Sequence, residues 1–442
     1  MILAATTPRT MPAFVDSPRL RLFLGTTLYL AQGFPQGIMN FALPSWLAVN
    51  GAPASTVGLV AAAGSIPWTV KFLIAGFVDR YAYIAMGRRR GWLVAAQLAI
   101  VLTFLAFAIL NPEPEQVAVI FAITLILSSA TALQDIALDS MVIDLTPEAE
   151  LAKINAFMYT GKLIGISGGV ALIGILIERY SIEAAMLGAM VLFLIPAMAG
   201  VLIRERPGEK LLPWTNGAAS QESVSVSFDA WLPMLKAAFA SLLRRDILAV
   251  LVLMICYGFH IDTMLGANIL FAANVLNWGE GELSSLMATM TLGSAAVGLV
   301  IGGRVVERWG PKAVMAASSL IGAALLLAGA LFIDQIADGS AFSVWFLTVM
   351  FFAVFAYLSM LVLAMRVIDL ATAAIGFNIL MAGLSTGMAL GSLSIGVIEP
   401  FGGFIALYGV SAVFLGLTAL CALFLSGSMG PLADRSKVGV SN

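Results

Sequence analysis

The sequence has few of the residues on which most enzymes and metalloproteins depend. It contains one histidine and two cysteines in 442 residues, and only 11% of its residues are charged. Cys256 and Cys421 both fall in apolar stretches, where two thiols are expected to pack rather than to pair, and no metal-ligand spacing surrounds them. A Walker loop or another nucleotide-binding signature is also missing. We therefore expect no cofactor and no ATP-driven chemistry on this chain.

Apolar residues, by contrast, are abundant. They make up 60% of the chain, and the mean hydropathy of +0.99 excludes an ordinary soluble domain. Twelve apolar stretches occur, most of them long enough to cross a hydrocarbon core of about 30 Å. They cover residues 22–47, 56–77, 92–110, 116–141, 154–177, 184–203, 247–273, 283–302, 313–332, 342–365, 373–398 and 403–425. The sequence therefore predicts an all-α integral membrane protein with twelve transmembrane helices.

The positive charges are sorted by side. If the N-terminus is placed inside, 20 of the 23 Lys and Arg residues fall inside and only Arg179 falls outside. By the positive-inside rule, this asymmetry predicts that both termini are cytoplasmic. The residues before the first stretch include three prolines and no apolar run, so we expect a retained helix rather than a cleaved signal. Lys71 and Lys162 remain within the membrane.

The two halves of the chain resemble each other. At an offset of 228 residues, Gln32 aligns with His260, Asn40 with Asn268, Asp79 with Glu307 and Arg80 with Arg308. At an offset of 222, Gly161, Gly165 and Gly169 align with Gly383, Gly387 and Gly391. The offset changes once, at a loop, as expected for a parallel repeat of two six-helix halves. Glycines at every fourth position predict that helix backbones pack closely. This contact could be static, or, in a two-half carrier, the helices could slide along it.

The repeat predicts five segments. These are a cytoplasmic N-terminal tail (1–21), an N-terminal six-helix bundle (22–203), a cytoplasmic linker (204–245), a C-terminal six-helix bundle (246–425) and a cytoplasmic C-terminal tail (426–442). In the linker, Trp231, Leu235, Phe239, Leu242 and Leu243 share one helical face. This pattern predicts an amphipathic helix on the inner leaflet.

Six ionisable residues fall within the apolar stretches: Lys71, Asp135, Asp139, Lys162, His260 and Asp262. Because each costs about 2.5–3.5 kcal/mol at the centre of a bilayer, each should face a cavity or a partner. Asp135 and Lys162 both lie about 15 Å from the inner ends of their stretches, and Asp139 and Lys71 lie shallower. We therefore predict two ion pairs, Asp135 with Lys162 and Asp139 with Lys71.

The four residues of the two predicted pairs are confined to the first half. The counterparts of Asp135, Asp139, Lys162 and Lys71 are Tyr357, Leu361, Leu384 and Leu299. A one-sided set favours binding or proton coupling, and the alternative is a buried network that holds helices together. We name Asp135 and Asp139 as the proton-coupling candidates.

Polar residues in the middle of the first and seventh stretches are expected to meet at the midplane, where two-half carriers bind substrate. His260 and Asp262 are two residues apart, so one should face a cavity and the other a neighbouring helix. His260 can titrate near neutral pH, although a hydrogen-bonded packing role remains open. The substrate-binding candidates are Gln32, Asn40, Lys162, His260, Asp262 and Tyr357.

The loop after the second stretch carries a recognisable motif. Residues 76–80 (Gly-Phe-Val-Asp-Arg) precede residues 87–90 (Gly-Arg-Arg-Arg). With twelve stretches in a doubled unit, this loop resembles the signature of the major facilitator superfamily. The resemblance implies two pseudo-symmetric six-helix bundles and a latch at the cytoplasmic face. Asp79 and Arg80 receive the latch role, Glu307 and Arg308 receive it more weakly, and Lys71 joins them as an ion-pairing residue.

Three further motifs resemble the muropeptide permease (AmpG-like) family and its siderophore-importing and acetyl-CoA-transporting relatives. They are residues 32–35 (Gln-Gly-Phe-Pro), 67–72 (Pro-Trp-Thr-Val-Lys-Phe) and 134–139 (Gln-Asp-Ile-Ala-Leu-Asp). The similarity covers most of the N-terminal half, and Lys162 stands where an Arg is expected. It implies a proton-coupled secondary transporter that imports a polar or anionic metabolite, such as a muropeptide-like or siderophore-like compound. The expected setting is a monomer in a bacterial inner membrane, with substrate, H⁺ and lipid as partners and no nucleic acid.

Two rival functions are weighed against transport. A non-transporting assembly factor of the same fold, of the pigment-complex type, would need no open charged cavity and would pack its interior around Lys162. A membrane enzyme is disfavoured, because the sequence offers no nucleophile–base pair and no metal cluster.

Overall fold

The computed structural model describes residues 12–225, 236, 239–240, 243–368 and 373–425. Within this part, nine helices are long and apolar enough to cross a membrane, or ten if one bent pair is counted as a single span. The prediction of a helical, multi-span membrane protein is confirmed at this level.

The first half contains helices with short connections. They are α1 (Pro18–Gly37), α2 (Leu43–Val49), α3 (Ala54–Thr69), α4 (Lys71–Arg80), α5 (Arg90–Leu110), α6 (Val117–Leu145), α7 (Glu148–Arg179), α8 (Ile182–Leu202) and the short α9 (Gln221–Ser225). Helix α1 begins four residues before the apolar stretch, because the Ser17 hydroxyl accepts the Leu20 N–H at 3.2 Å and Pro18 starts the helix. A π-helical turn, Ile38–Ala42, joins α1 to α2.

The second half follows a similar plan. Its helices are α10 (Arg245–Asn274), α11 (Glu280–Val297), α12 (Gly303–Trp309), α13 (Pro311–Leu331), α14 (Gly339–Val367) and α15 (Ala373–Phe424). A second π-helical turn, Gly298–Gly302, joins α11 to α12. The long α15 is broken at Gly402 and Gly403, where Gly403 has a φ of +58°, a value that favours glycine. The break falls between the two last apolar stretches.

The repeated glycines bring helix backbones together within each half. A Cβ placed on Gly165 of α7 would lie 2.2 Å from the carbonyl oxygen of Leu30 in α1. In the second half, a Cβ on Gly387 of α15 would lie 2.1 Å from the carbonyl oxygen of Ile255 in α10. A real Cβ atom cannot lie this close to a carbonyl oxygen, so only glycine fits at these positions. The repeated glycines therefore allow close helix packing inside each half.

Several close contacts between the two halves lie near one end of the bundle. We call the end that carries residues 81–89 and 203–210 the basic end, and the end that carries residues 50–53 and 275–279 the far end. Near the far end, Gly58 packs against the Ser392 carbonyl, and Gly396 packs against Ser55. Ser167 also donates a hydrogen bond to the Ala288 carbonyl at 3.1 Å. The seam between the halves is therefore closed at the far end.

The start of the linker packs on the first half. The Phe14 N–H donates to the Arg204 carbonyl at 2.7 Å, and Phe14 is fully buried. The amphipathic helix predicted around Trp231 lies largely outside the described residues. From that segment, the Phe239 ring lies 5.9 Å from the Phe72 ring of α4 in an edge-on contact.

Candidate functional site

The candidate site lies among α1, α4, α6 and α7 of the first half. At its centre, Asp135 of α6 accepts one contact from the Lys71 ammonium and another from the Gln32 amide. Its side chain is only 4% exposed. Lys71 and Gln32 together compensate a buried negative charge that would otherwise be costly in a membrane.

Asp139 lies one helical turn from Asp135, nearer the basic end. Its carboxylate accepts a hydrogen bond from the Tyr29 hydroxyl, and Lys71 Nζ lies 3.8 Å from Asp139 Oδ2. The predicted contact between Lys71 and Asp139 is therefore present. The Asp139 side chain is 38% exposed, so exposure rises from Asp135 towards the basic end. Of the two acids, Asp139 is thus the more exposed.

The predicted pair between Asp135 and Lys162 is wrong. Lys71, not Lys162, contacts Asp135. Lys162 Nζ instead lies 5.5 Å from the centre of the Trp68 ring and 6.0 Å from that of Tyr29. Such positions over aromatic faces attract a cation. Lys162 is partly exposed and forms no ion pair within the described part of the chain.

A break in the second span explains why Lys71 reaches the deeper acid. Helices α3 and α4 meet at Val70, whose backbone is not helical (φ −110°, ψ 6°), and their axes differ by 46°. Pro67 lies one turn before this break and removes a backbone donor. Lys71 is thus the first residue of a redirected helix, whereas the depth estimate assumed a straight one.

His260 and Asp262 face different surroundings, as their spacing predicted. The buried His260 Nδ1 lies 2.7 Å from the Ser411 Oγ, inside the second half. Asp262 points to the seam, where it accepts hydrogen bonds from Ser392 at 2.9 Å and Ser65 at 3.5 Å. It lines a cavity of about 70 Å³ together with Asn40. Asp262 and Asn40 therefore share one space, and His260 does not join it.

Of the remaining candidates, only Gln32 contacts this centre within the described part of the chain. Gln32 belongs to the Asp135 cluster, and Tyr357 stacks near Tyr257, with 6.4 Å between ring centroids. Arg80, Glu307 and Arg308 are exposed at the basic end. The side chain of Asp79 lies outside the described part. Arg80, Glu307 and Arg308 are therefore not part of the charged cluster.

One functional-looking residue was missed by the sequence analysis. The Glu205 carboxylate accepts the backbone N–H groups of Arg88, Arg89 and Arg90 at 2.9, 2.6 and 2.5 Å. Burial raises the pKa of Glu205, and the three hydrogen bonds oppose that effect. The signal was available, because an acid between two arginines follows directly after the sixth apolar stretch. Glu205 caps α5 and fixes the linker to the basic loop.

The fold and the buried charged cluster define a helical membrane protein made of two repeated halves. The chain belongs to the Major Facilitator Superfamily, whose family model matches residues 25–267. The family that the loop motif indicated is thereby confirmed.

Among characterised relatives, the anhydromuropeptide permease of Escherichia coli (strain K12) is 26% identical over 299 residues. The match covers 66% of this chain and 56% of the permease, so the chain spans little more than half the length of that relative. The putative transporter AmpG 3 of Rickettsia typhi is 29% identical over 145 residues, which cover 31% of this chain and 34% of that protein.

Solved structures show the same fold. The nucleoside transporter NupG superposes with a TM-score of 0.68 at 16% identity, covering 91% of this chain and 97% of NupG. A D-xylose-proton symporter superposes with a TM-score of 0.69 at 13% identity, covering 93% of this chain and 99% of the symporter.

Proposed function

We propose that the chain is a proton-coupled secondary transporter with twelve transmembrane helices that imports a polar or anionic metabolite by alternating access. The observation that carries the proposal is the charged cluster of the first half. Lys71, Asp135 and Asp139 form a connected set with graded exposure, and Lys162 lies beside it without an ion pair among the described residues. Intramembrane charges of this kind mark substrate and ion pathways.

In this proposal, Asp135 and Asp139 carry the proton. Asp139 receives it from the accessible side, and Asp135 shares Lys71 with it. Protonation of either acid weakens its attraction for Lys71 and frees that cation to move. The two acids lie four residues apart on one helix face, so a single proton can shift the balance of the whole cluster.

Lys162 supplies the substrate contact. A free ammonium beside the rings of Trp68 and Tyr29 suits a ligand that combines a carboxylate or phosphate with an apolar or sugar face. The named activity of the Escherichia coli permease favours a muropeptide-like compound, and a siderophore-like compound shares this chemistry. The chain acts as a monomer in a bacterial inner membrane, with both termini cytoplasmic.

The assembly-factor alternative predicts a packed interior around Lys162. Lys162 is partly exposed, and the Asp139 side chain is 38% exposed, which supports transport over a packed interior. No contact in the described residues favours that alternative over transport.

The test is uptake into proteoliposomes with and without an inward proton gradient, using a labelled anhydromuropeptide and a labelled ferric siderophore. We expect gradient-driven uptake by the wild type and its loss in Asp135→Asn, because an amide cannot carry the proton. Asp334→Asn, an exposed acid of the second half, is the matched control and should transport normally. Gradient-driven uptake by Asp135→Asn would refute the coupling role, and failure of both substrates would refute the substrate class.

A further inference from the structure

At the far end of the seam, α7 of the first half crosses α11 of the second. A Cβ placed on Gly174 would lie 2.0 Å from Ser284 Oγ, and one placed on Gly281 would lie 2.1 Å from Glu178 Oε2. The two helices are therefore in direct contact, and the Glu178 carboxylate lies against the first turn of α11. In this structure the contact joins the two halves across the closed far end.

Glu280, next to Gly281, is 5% exposed. Neither of its carboxylate oxygens has a hydrogen-bond partner among the described residues, and the same holds for the Oγ of Ser284, one turn further along α11. An ionised carboxylate buried without a partner costs several kcal/mol. Glu280 therefore favours the neutral, protonated form in this closed arrangement.

In the described part of the chain, no Lys or Arg side chain forms an ion pair with Glu280, and the positive N-terminal end of the α11 dipole offsets the cost of its charge only in part. Glu178 is the charged group that acts on it from α7, and its negative charge adds to the penalty. The next residue, Arg179, is exposed. Helix α2 contains no titratable residue, and Asp338, which caps α14, is exposed and bound to the N–H groups of Ser340 and Ala341.

We propose that Glu280 is a proton-binding site of the far-end seam, and that the bound proton holds the two halves together there. When the proton leaves, Glu280 and Glu178 are both negative across a tight contact, and water can solvate the buried Glu280 only after the seam opens. The inference deepens the proposed transport function and rests on it for the direction of proton movement. The Glu280–Glu178 pair joins the two halves, whereas the Asp135 cluster lies within the first half.

The expected effect follows from linkage. If the closed seam binds one proton that the open seam does not, the ratio of open to closed molecules changes by up to about tenfold per pH unit. Low pH at the far end then favours the closed seam.

The experiment measures a distance across the far end in purified protein without substrate or sodium. Glu115 and Ala337 are exposed far-end residues of opposite halves, and spin labels are attached at Glu115→Cys and Ala337→Cys after both native cysteines are replaced. Double electron–electron resonance then reports the distance over a pH series. In the parent protein, the short distance should give way to a longer one as the pH rises.

Three variants make the test specific. Glu280→Gln should keep the short distance at every pH, because the amide is always neutral. Glu178→Gln should keep more of the short distance at high pH than the parent does, because it removes the repulsion between the two carboxylates while Glu280 still titrates. It also guards against a folding defect in Glu280→Gln. Glu282→Gln is the matched control, because Glu282 is exposed and caps the Gly279 N–H at 3.2 Å, a role that glutamine keeps. It should behave like the parent.

A Glu280→Gln protein that opens with pH like the parent would overturn the proposal. A parent distance that does not respond to pH would overturn it too, and so would one that responds to added sodium instead of pH. Because the readout needs no transported compound, a pH response in a protein that fails every uptake assay would separate this inference from the proposed transport.

Discussion

The first and second halves pack their helices in the same way and differ in what their centres contain. Gly165 and Gly387 occupy matching positions and approach the neighbouring backbone to 2.2 and 2.1 Å. Around this shared frame, the first half holds two acids and two lysines, whereas the second has Tyr357 and three leucines at the corresponding positions. The repeat supplies the architecture, and the charges are an addition to one copy. A substitution that disturbs helix packing should therefore lower the stability by a similar amount in either half. A substitution that adds or removes a charge should have a different effect in each half.

The largest expected effect comes from removing a charge from the first half. Lys71→Met leaves Asp135 buried without its ammonium partner and should lower the free energy of unfolding by about 3–5 kcal/mol. Adding Asp135→Asn should recover part of this loss, because the uncompensated charge is gone. Denaturant unfolding in detergent micelles measures both. Stronger coupling of Asp135 to Lys162 than to Lys71 would contradict the observed pairing.

The converse experiment adds a charge to the second half. Leu384, the counterpart of Lys162, is 5% exposed, and Leu384→Lys should destabilise the protein by about 2.5–3.5 kcal/mol. Leu384→Met is the matched control and should cost about 1 kcal/mol or less, since the volume is nearly conserved. The same unfolding assay applies. If the lysine were tolerated as well as methionine, the second half would already contain a polar space like that of the first.

The packing frame predicts a smaller and symmetric effect. Gly165→Ala and Gly387→Ala each place a methyl group against a backbone carbonyl and should each cost about 1–3 kcal/mol. Gly168→Ala is the control within α7, because nothing lies within 4 Å of its Cβ position. The melting temperatures of the three variants measure these effects. A clear asymmetry between Gly165→Ala and Gly387→Ala would show that the halves do not share one packing frame.

The smallest expected effect concerns the latch. If Asp79 is the latch that the family resemblance implies, Asp79→Ala destabilises the state closed at the basic end, and the population should shift by about fivefold towards the state open there. Labelling of cysteines placed near the basic ends of α6 and α14, from the side of the basic end, should rise while ligand affinity is kept. Glu307→Ala, its second-half counterpart, should shift labelling less. Unchanged labelling with lost affinity would make Asp79 a folding residue.

Much of this architecture could be predicted from composition and periodicity. Apolar length and the doubled glycine stripes are local or repeated signals, and they predicted a multi-span helical protein with close backbone contacts. The residues of the charged cluster were also named in advance, because ionisable side chains in apolar stretches are conspicuous. The opposite facing of His260 and Asp262 followed from helix geometry alone.

The pairing within the cluster could not be predicted in the same way. It depends on a break at Val70 that redirects Lys71, and the depth estimate treated the span as one straight helix. The position of Lys162 depends on Trp68 and Tyr29, aromatic residues from two other helices. The Glu280 contact lies between the halves and so requires their relative placement, about which a single sequence gives no information.

The contacts of Glu205 determine where the chain can be cut into two fragments. It satisfies three N–H groups at the start of α5, and the Arg88 guanidinium donates to the Ser223 carbonyl at 2.9 Å. A first half expressed alone and cut at the end of α8 would lose these acceptors and expose a bare helix terminus. A cut placed after residue 225 would keep them. Complementation by two separately expressed fragments should therefore succeed with the later cut and fail with the earlier one.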